Sequence, residues 1–414
     1  MKNFTLLILA TLFSLNVSAQ EIDDFIFLGA NYVNQSYYSL SEGEVANVDN
    51  TNWDIAIESS AFGVGVRING QMGTNLYSYP DGDTSDWSNL DTIGIATWVQ
   101  SFDSDVSWSD GAFNRGADTT NDNDYGWGIY NPITHHVVGD SLYVIELSDG
   151  NFKKIWIESM YLNDAIFRYA DIDGSNEVSV TFDKSTYAGK NYGYYSIQNE
   201  EEIDREPDSD TWDIVFTKYI GLFDPLTYWS LTGVMHNNNV TSSMADGVPV
   251  YDAIWTGYEM TDSIAKIGWD WKWFNFTALE YEIVEDRCYF IKAQDGVVWR
   301  IIFIDFIGSG SGEVDFTLEE VGFIVGVDEY ETTNEFTMHP NPLSYGNLTL
   351  DMTSTSSEVY VNIIDLSGKQ VYADKFSNQG SQIKRLDLSD LKSGLYIISM
   401  ESDQGKISKK LIIN

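Results

Sequence analysis

Side chains able to do chemistry are few in this chain, apart from carboxylates. Five donors of the kind that ligate an iron from the axial side stand out. His135 and His136 are adjacent and precede an apolar run, Met235 and His236 are adjacent in a second run, and Met72 occupies the place matching Met235 in the internal repeat set out below. Axial ligation needs one or two such donors in an apolar slot. Neighbours on an extended strand point to opposite faces, so His135 and His136 cannot both reach one iron from a strand. Oxygen donors are more abundant. Asp81 and Asp83 flank Gly82 with Asp86 nearby, Asp122 and Asp124 lie in the acidic stretch 118–124, and Asp171, Asp173 and Gly174 make a third cluster. Calcium takes six to eight oxygens, which loops this dense in Asp can supply. None has the EF-hand spacing, and Asx turns alone account for Asp in β-loops. Trp269, Trp271 and Trp273 alternate, so on one strand all three face one side. Exposed, that row is a platform for sugar rings. Turned inward it is a core face, which the repeat favours by pairing Trp269 with Trp127 and setting Trp271 opposite Ile129.

Catalytic signatures are missing. There is no Gly-x-Ser-x-Gly elbow, no His-Glu-x-x-His and no phosphate-cradling glycine loop. Carboxylate pairs are too numerous to single out a glycosidase acid and base. The one cysteine, Cys288, aligns with Leu142 in the repeat, as core filler does. The expectation is a protein that is not an enzyme, with no certain cofactor and with haem or calcium as the two candidates.

Composition says what must position these residues. Aromatic residues make up 14% of 414, and hydrophobic residues 43%, enough for real cores. Many Val, Ile and Thr runs accompany them, and no long 3.6-residue period appears, so the elements are strands. Asp and Glu number 63 against 23 Lys and Arg, a net −40, which repels phosphate backbones and anionic lipid and argues against nucleic-acid binding. A single cysteine excludes an internal disulfide.

The two ends read as addresses. Residues 1–19 have a charged start, an apolar run over 4–15 and Val17-Ser18-Ala19, a signal peptide predicted to engage the Sec machinery and to be cut before Gln20. No later stretch reaches 18 apolar residues, so no transmembrane segment is expected in the mature form. At the other end the charge changes. Residues 331–414 carry 8 basic and 10 acidic residues, leaving 15 against 53, or −38, in 1–330. After a polar linker, 328–334, come short β-runs and turns that predict a small Ig-like β-sandwich over 335–414. Its motifs are Pro340-Asn341-Pro342, the turn from Asp365 through Gly368 to Lys369, Gly394 and Tyr396 after Leu391, and a terminal Lys-Lys-Leu-Ile-Ile containing Lys410. This pattern resembles the type A C-terminal sorting domain of the type IX secretion system. The resemblance implies a Bacteroidetes-type bacterium, the type IX machinery as partner, removal of the domain, and cargo secreted or attached to the outer cell surface.

The body repeats itself in one order. Tyr37-Tyr38-Ser39-Leu40 matches Tyr194-Tyr195-Ser196-Ile197, Trp53-Asp54-Ile55 matches Trp212-Asp213-Ile214, Asn69–Met72 resembles Thr232–Met235, and Tyr143-Val144-Ile145 with Asp149-Gly150 matches Tyr289-Phe290-Ile291 with Asp295-Gly296. Collinear anchors predict two copies of one β-unit, 20–186 and 187–327, each with sheets that keep one wet face. The Tyr-Tyr-Ser strand, the Trp-Asp-Ile-Ala-Ile run, Trp127-x-x-Tyr130, the run Tyr143 to Ile155 and Phe167-Arg168-Tyr169 resemble the HmuY-like family, with Arg300 replacing Lys154 in the looser second copy. The resemblance implies an all-β fold and haem capture through paired axial side chains, for which the five donors above are the candidates. The expected function is non-enzymatic binding of an unidentified extracellular ligand, with haem capture or a calcium-stabilised adhesion role as alternatives.

Overall fold

The computed structural model describes residues 21–224, 227–324 and 335–413, less 344–345, 355–357, 366–368, 378–379, 390 and 403–404. The expected leader 1–19, the linker 328–334 and Gly368 lie outside the described residues. Two compact units divide the chain at Ile324 and Val325. The fold is all-β, as composition predicts, and the helical pieces among the described residues are 3-10 turns of three or four residues.

The first unit is built as two lobes, each a two-sheet sandwich. In lobe one, Glu201–Ile203, Tyr192–Ser196, Ile55–Glu58 and Val66–Ile68 form one sheet, in that order. It faces a second sheet running Val178–Asp183, Asp164–Asp171, Phe152–Tyr161, Tyr143–Glu146 and Asn75–Ser78. Ile55, Ile57, Tyr143, Ile145, Ile155 and Phe167 fill the space between them. Lobe two repeats the plan, with Gly43–Asp49, Asn34–Ser39, Ile214–Asp224 and Thr227–His236 facing Ile22–Phe27, Glu313–Phe323, Val297–Phe306, Arg287–Lys292 and Thr241–Asp246. The matching positions Ile214, Phe216, Tyr289, Ile291, Ile301 and Phe316 make its core. Each such fully buried side chain contributes about 2 kcal/mol of transfer free energy.

The two copies exchange their opening strands. Asn34–Ser39 begins copy one but pairs with copy two, Tyr38 opposite Ile214 and Ser36 opposite Phe216. Tyr192–Ser196 begins copy two but pairs with copy one, Tyr195 opposite Ile55. Val178–Asp183 holds in lobe one, on Asp164–Asp171, the place that Ile22–Phe27 holds in lobe two, on Glu313–Phe323. Locality explains this. Val178–Asp183 follows Asp164–Asp171 through a short turn and pairs with its sequence neighbour, as consecutive antiparallel strands do. The strands at 22–39 then complete the other end of the chain. Lobe one is therefore a continuous stretch around 53–203, and lobe two is closed by residues 22–49, so the spatial division differs from the sequence division at 186.

The environments of the repeat anchors match. Trp53 packs edge-on against Tyr194 at 5.1 Å and Trp212 against Tyr37 at 4.9 Å. Asp54 accepts the Ile197 and Gln198 amides, and Asp213 those of Leu40 and Gln294. The Asn69 amide donates to the carbonyls of Asn50 and Trp53, and the Asn237 amide to those of Ser209 and Trp212. The third anchor is thus Asn69 with Asn237, not Asn69 with Thr232. The position must hold two loop carbonyls, which an amide does and a Gly-Met likeness does not. Met72 consequently loses Met235 as its counterpart.

The expected wet faces are covered. Tyr143, Val144 and Ile145 are all buried, as are Cys288 to Ile291. Long insertions lie over the outer side of each large sheet. In lobe one Trp87 and Leu90 cover Leu142, Val144 and Ala170. In lobe two Val250, Trp255 and Tyr258 cover Cys288, Phe290 and Val298. A cation holds each cover down, Lys154 Nζ on the Trp87 carbonyl at 2.7 Å and Arg300 Nη1 on that of Val250 at 2.9 Å. Burial pushes the Cys288 thiol up to about 11, which suits filler rather than nucleophile.

In the second unit, Glu335–His339, Asn347–Ser354 and Gly380–Asp387 form one sheet, and Gln370–Ser377, Glu358–Asp365, Gly394–Ser402 and Gly405–Ile413 the other. Leu348, Leu350, Val361, Ile363, Ile398 and Leu411 form the core. The sorting motifs acquire structural roles. Asn341, between Pro340 and Pro342, clamps the last strand by donating to the Lys410 carbonyl and accepting the Ile412 amide. Asp365 accepts the Lys369 amide to close its turn. Gly394 opens a strand, and Tyr396 donates to the Lys392 carbonyl.

Candidate functional site

One feature is present in lobe two and missing from lobe one. The strands Ile214–Asp224 and Thr227–His236 have 11 and 10 residues, whereas their counterparts Ile55–Glu58 and Val66–Ile68 have 4 and 3. The extra length is a hairpin overhanging the sandwich. Lobe one braces it: Phe102 stacks on Tyr228 at 4.7 Å and the Leu222 amide donates to the Asp105 carboxylate at 3.4 Å, while the neighbouring Ile264 and Ala265 amides donate to the carbonyls of Val106 and Asp105. On its other side Phe223 stacks on Trp229 at 4.6 Å and meets Trp269 at 5.1 Å.

Opposite the overhang stands the small hairpin of Lys272–Asn275 and Glu280–Ile283, with Trp273 and Phe274 on its first strand and Phe276 in its turn. Phe274 packs edge-on against Phe276 and Tyr281, both at 5.1 Å. Between the two hairpins lies a cleft of about 560 Å³. Its rings are incompletely covered: Trp229 is 55% exposed, Trp273 50%, Phe223 43% and Phe276 84%. Four large aromatic groups exposed around one hollow mark a contact surface, because isolated exposed rings are ordinary and clustered ones are not. Ser230 and Thr232 bring hydroxyl groups to the lining, and Lys218 and Lys272 bring amines. Lys272 is buried, donates to the Thr232 carbonyl at 2.6 Å and sits 3.9 Å from the Trp271 ring centre. Burial pushes its amine down to about 7.

The tryptophan row divides. Trp271 is 1% exposed and stacks on Phe303 at 3.9 Å in the core, while Trp269 and Trp273 line the cleft. The strand begins only at Lys272, so residues 269–271 turn and period two does not apply to them. Neither expectation for the row, a shared core face or a shared open platform, holds for all three members.

A second hollow, about 50 Å³, lies between the lobes and is lined by Tyr37, Trp53, Arg67, Tyr194, Glu206 and Trp212 among others. That is room for water only. Glu206 accepts the Tyr194 hydroxyl at 2.7 Å and the Asn191 amide at 3.0 Å, while its neighbour Arg205 holds Gln35 and the Asp49 carbonyl. Burial pushes the Glu206 carboxyl up to about 7 against these bonds and against Arg205. The arrangement is a polar joint.

The expected iron donors lie apart on different elements. His135 is exposed, with φ of 60°, its Nδ1 2.7 Å from the Tyr130 hydroxyl. His136 stacks flat on Tyr161 at 4.2 Å. Met72 ends a 3-10 turn. Met235 is buried with Tyr37 and Trp212, and the next residue, His236, turns to the other side of its strand. His236 Nδ1 is 3.0 Å from the Asn237 carbonyl, its Nε2 has no hydrogen-bond partner among the described residues, and burial pushes its pKa down. The carboxylates serve their own loops. Asp83 accepts the Ser85 amide and Asp124 those of Asp118 and Gly126, while Asp81 and Asp122 sit in neighbouring turns. Among the described residues no three His, Cys, Asp or Glu side chains converge as a metal site.

Sequence reading did not single out Phe223, Trp229 or Lys218. A signal existed: Asn69 lies fifteen positions after Asp54, but Asn237 lies twenty-four positions after Asp213. With the third anchor misplaced, that insertion was hidden.

A family model described as the secretion system C-terminal sorting domain matches residues 337–414. The tail is the type IX sorting domain, which directs the chain to the cell surface and is cleaved. No curated protein matches the chain. Dimeric latent PorU from Porphyromonas gingivalis is similar at 13% identity, covering 67% of this chain and 31% of its own, with a TM-score of 0.18. This chain thus spans about a third of that one. The BSP domain of a biofilm associated protein is similar at 9% identity over 95% and 81% of the two chains, also at 0.18. No helix among the described residues is long and apolar enough to cross a membrane.

Proposed function

We propose that the body is a non-enzymatic binding module delivered to the cell surface by its tail, and that the aromatic cleft of lobe two is its contact site for a saccharide. The observation that carries this is the set of half-exposed rings, Phe223, Trp229 and Trp273, held around one hollow by a hairpin that lobe one lacks. A pyranose ring presents an apolar face of C–H groups with partial positive charge to the negative face of an indole, and Ser230 and Thr232 add hydroxyls to the lining of the cleft. The HmuY-like resemblance of the body is compatible with surface binding. Its haem reading draws less support, since the five candidate donors stand on separate elements, and the calcium reading draws less because Asp83 and Asp124 already serve their own turns.

The test is titration of the chain without its expected leader, residues 20–414, against an oligosaccharide panel, followed by tryptophan fluorescence. Saturable binding that Trp229→Ala reduces at least tenfold, with an unchanged melting temperature, supports the reading. Binding indifferent to Trp229 and Trp273, or a sharpened Soret band with hemin that His236→Ala removes, overturns it.

A further inference from the structure

The cleft reverses the charge of the molecule around it. The chain carries 63 acidic against 23 basic residues, yet among the described residues the lining of the cleft includes two lysines and no carboxylate. The lysines differ. Lys272 is committed to the Thr232 carbonyl and the Trp271 face. Lys218, on the strand Ile214–Asp224, is half-buried and has no hydrogen bond or ion pair from its amine among the described residues. Its burial pushes the amine pKa down, with no carboxylate contributing. Several cations of the body are ion-paired, Arg67 to Asp103, Arg168 to Glu158 and Glu177, Arg287 to Asp246 and Asp270, and Arg300 to Glu319; Lys266 and Lys292 are half-buried without such a pair, and what sets Lys218 apart from them is its place in the lining of the cleft. A half-buried ammonium without a partner is unfavourable to the folded state, and a chain this rich in Asp and Glu could have supplied a partner. Lys218 lies opposite Thr232 on its hairpin and lines the cleft with it, and an amine left open in an aromatic-lined cleft is the arrangement of a binding subsite.

We propose, on the reading of the cleft as a saccharide site, that its ligand is an acidic saccharide whose carboxylate pairs with Lys218 while its rings lie against the aromatic lining of the cleft. The net negative charge of the body opposes this only at long range. At physiological ionic strength charges separated by more than about 8 Å are largely screened, whereas a contact pair in a partly dry cleft is screened much less. The Lys218 amine thus selects for the anion locally even though the whole molecule repels it.

The experiment titrates the same chain with oligomers of galacturonate, glucuronate and mannuronate, each beside its methyl ester, which keeps the ring and removes the charge. The expected result is that at least one acid binds tenfold or more tighter than its ester. Lys218→Met should abolish that difference while leaving ester binding unchanged, and Lys218→Arg should retain it. Acid and ester binding equally, or a preference that survives Lys218→Met, overturns the acidic inference and leaves the saccharide site standing. No binding of any acid or ester removes both. A melting temperature for Lys218→Met within about two degrees of the parent shows that lost preference is not lost folding.

Discussion

Lobe one and lobe two share a scaffold to the level of single hydrogen bonds, and they differ in what stands on it. In both, a tryptophan rests edge-on against a tyrosine from the exchanged strand, a carboxylate holds two amides, and an asparagine holds two carbonyls. In lobe one the hairpin beside this framework stops short, and Glu58 accepts the Gly65 amide to close it. In lobe two it runs on and places rings around a hollow. The framework is therefore about stability and the overhang about contact, which is the separation expected when binding residues sit on excursions from a rigid scaffold. Lobe one contributes by bracing the overhang with Phe102 and Asp105.

The largest expected effect tests whether the lobes are one folding unit. Trp127 and Trp271 are both 1% exposed or less, at the centres of the two cores. Trp127→Ala and Trp271→Ala should each cost about 3–5 kcal/mol in urea unfolding. Because each lobe contains strands of the other copy, either variant should shift one cooperative transition. Two separated transitions, with only one moved, would break the coupling.

Next comes the matched carboxylate pair. Asp54 is 1% exposed and accepts from two amides and the Gln198 side chain, whereas Asp213, at 8%, accepts from two amides. Asp54→Ala should cost about 2–4 kcal/mol and Asp213→Ala about 1–2, since each leaves buried donors unpaired. The reverse order would show that the lobes are not loaded alike.

Glu206 at the joint gives the pH dependence. Its folded pKa, raised to about 7, lies above the ordinary carboxylate value of 4.5. The folded state therefore binds more protons than the unfolded state in that interval, and stability falls as pH rises from about 4.5 to 7. Glu206→Gln should flatten this slope, which is on the order of 1–3 kcal/mol. A slope unchanged in the variant would place its origin elsewhere.

The smallest effect concerns the brace. Phe102→Ala removes the stack on Tyr228 and should cost about 0.5–1.5 kcal/mol. Faster amide hydrogen exchange over 218–232 is expected, with none over 55–68. Equal loosening of both hairpins would mean the brace supports the whole joint.

The all-β class, the sorting tail and the duplicated anchors were legible because each leaves a local mark: alternating runs, a dense short motif, and Trp-Asp or Tyr-Tyr pairs that must meet the same neighbours. Strand exchange was not legible, since Tyr37 and Tyr194 carry the same pattern whichever copy they pair with. The wet faces expected of the large sheets failed because distant insertions, at 79–141 and 247–286, fold back over them. Of the cleft, Trp269 and Trp273 were visible as residues, but their separation from Trp271 depends on where a strand starts. Lys218 carried no signal, because a missing partner is a property of three dimensions.

Hydrogen exchange of the chain without its expected leader, with and without a binding oligosaccharide, tests the central claim most directly. Protection concentrated in 218–232 and 269–276, with none in the matching stretch 55–68, is the predicted result. Protection of both hairpins alike, or of the turns around His135 and His236 instead, would contradict it.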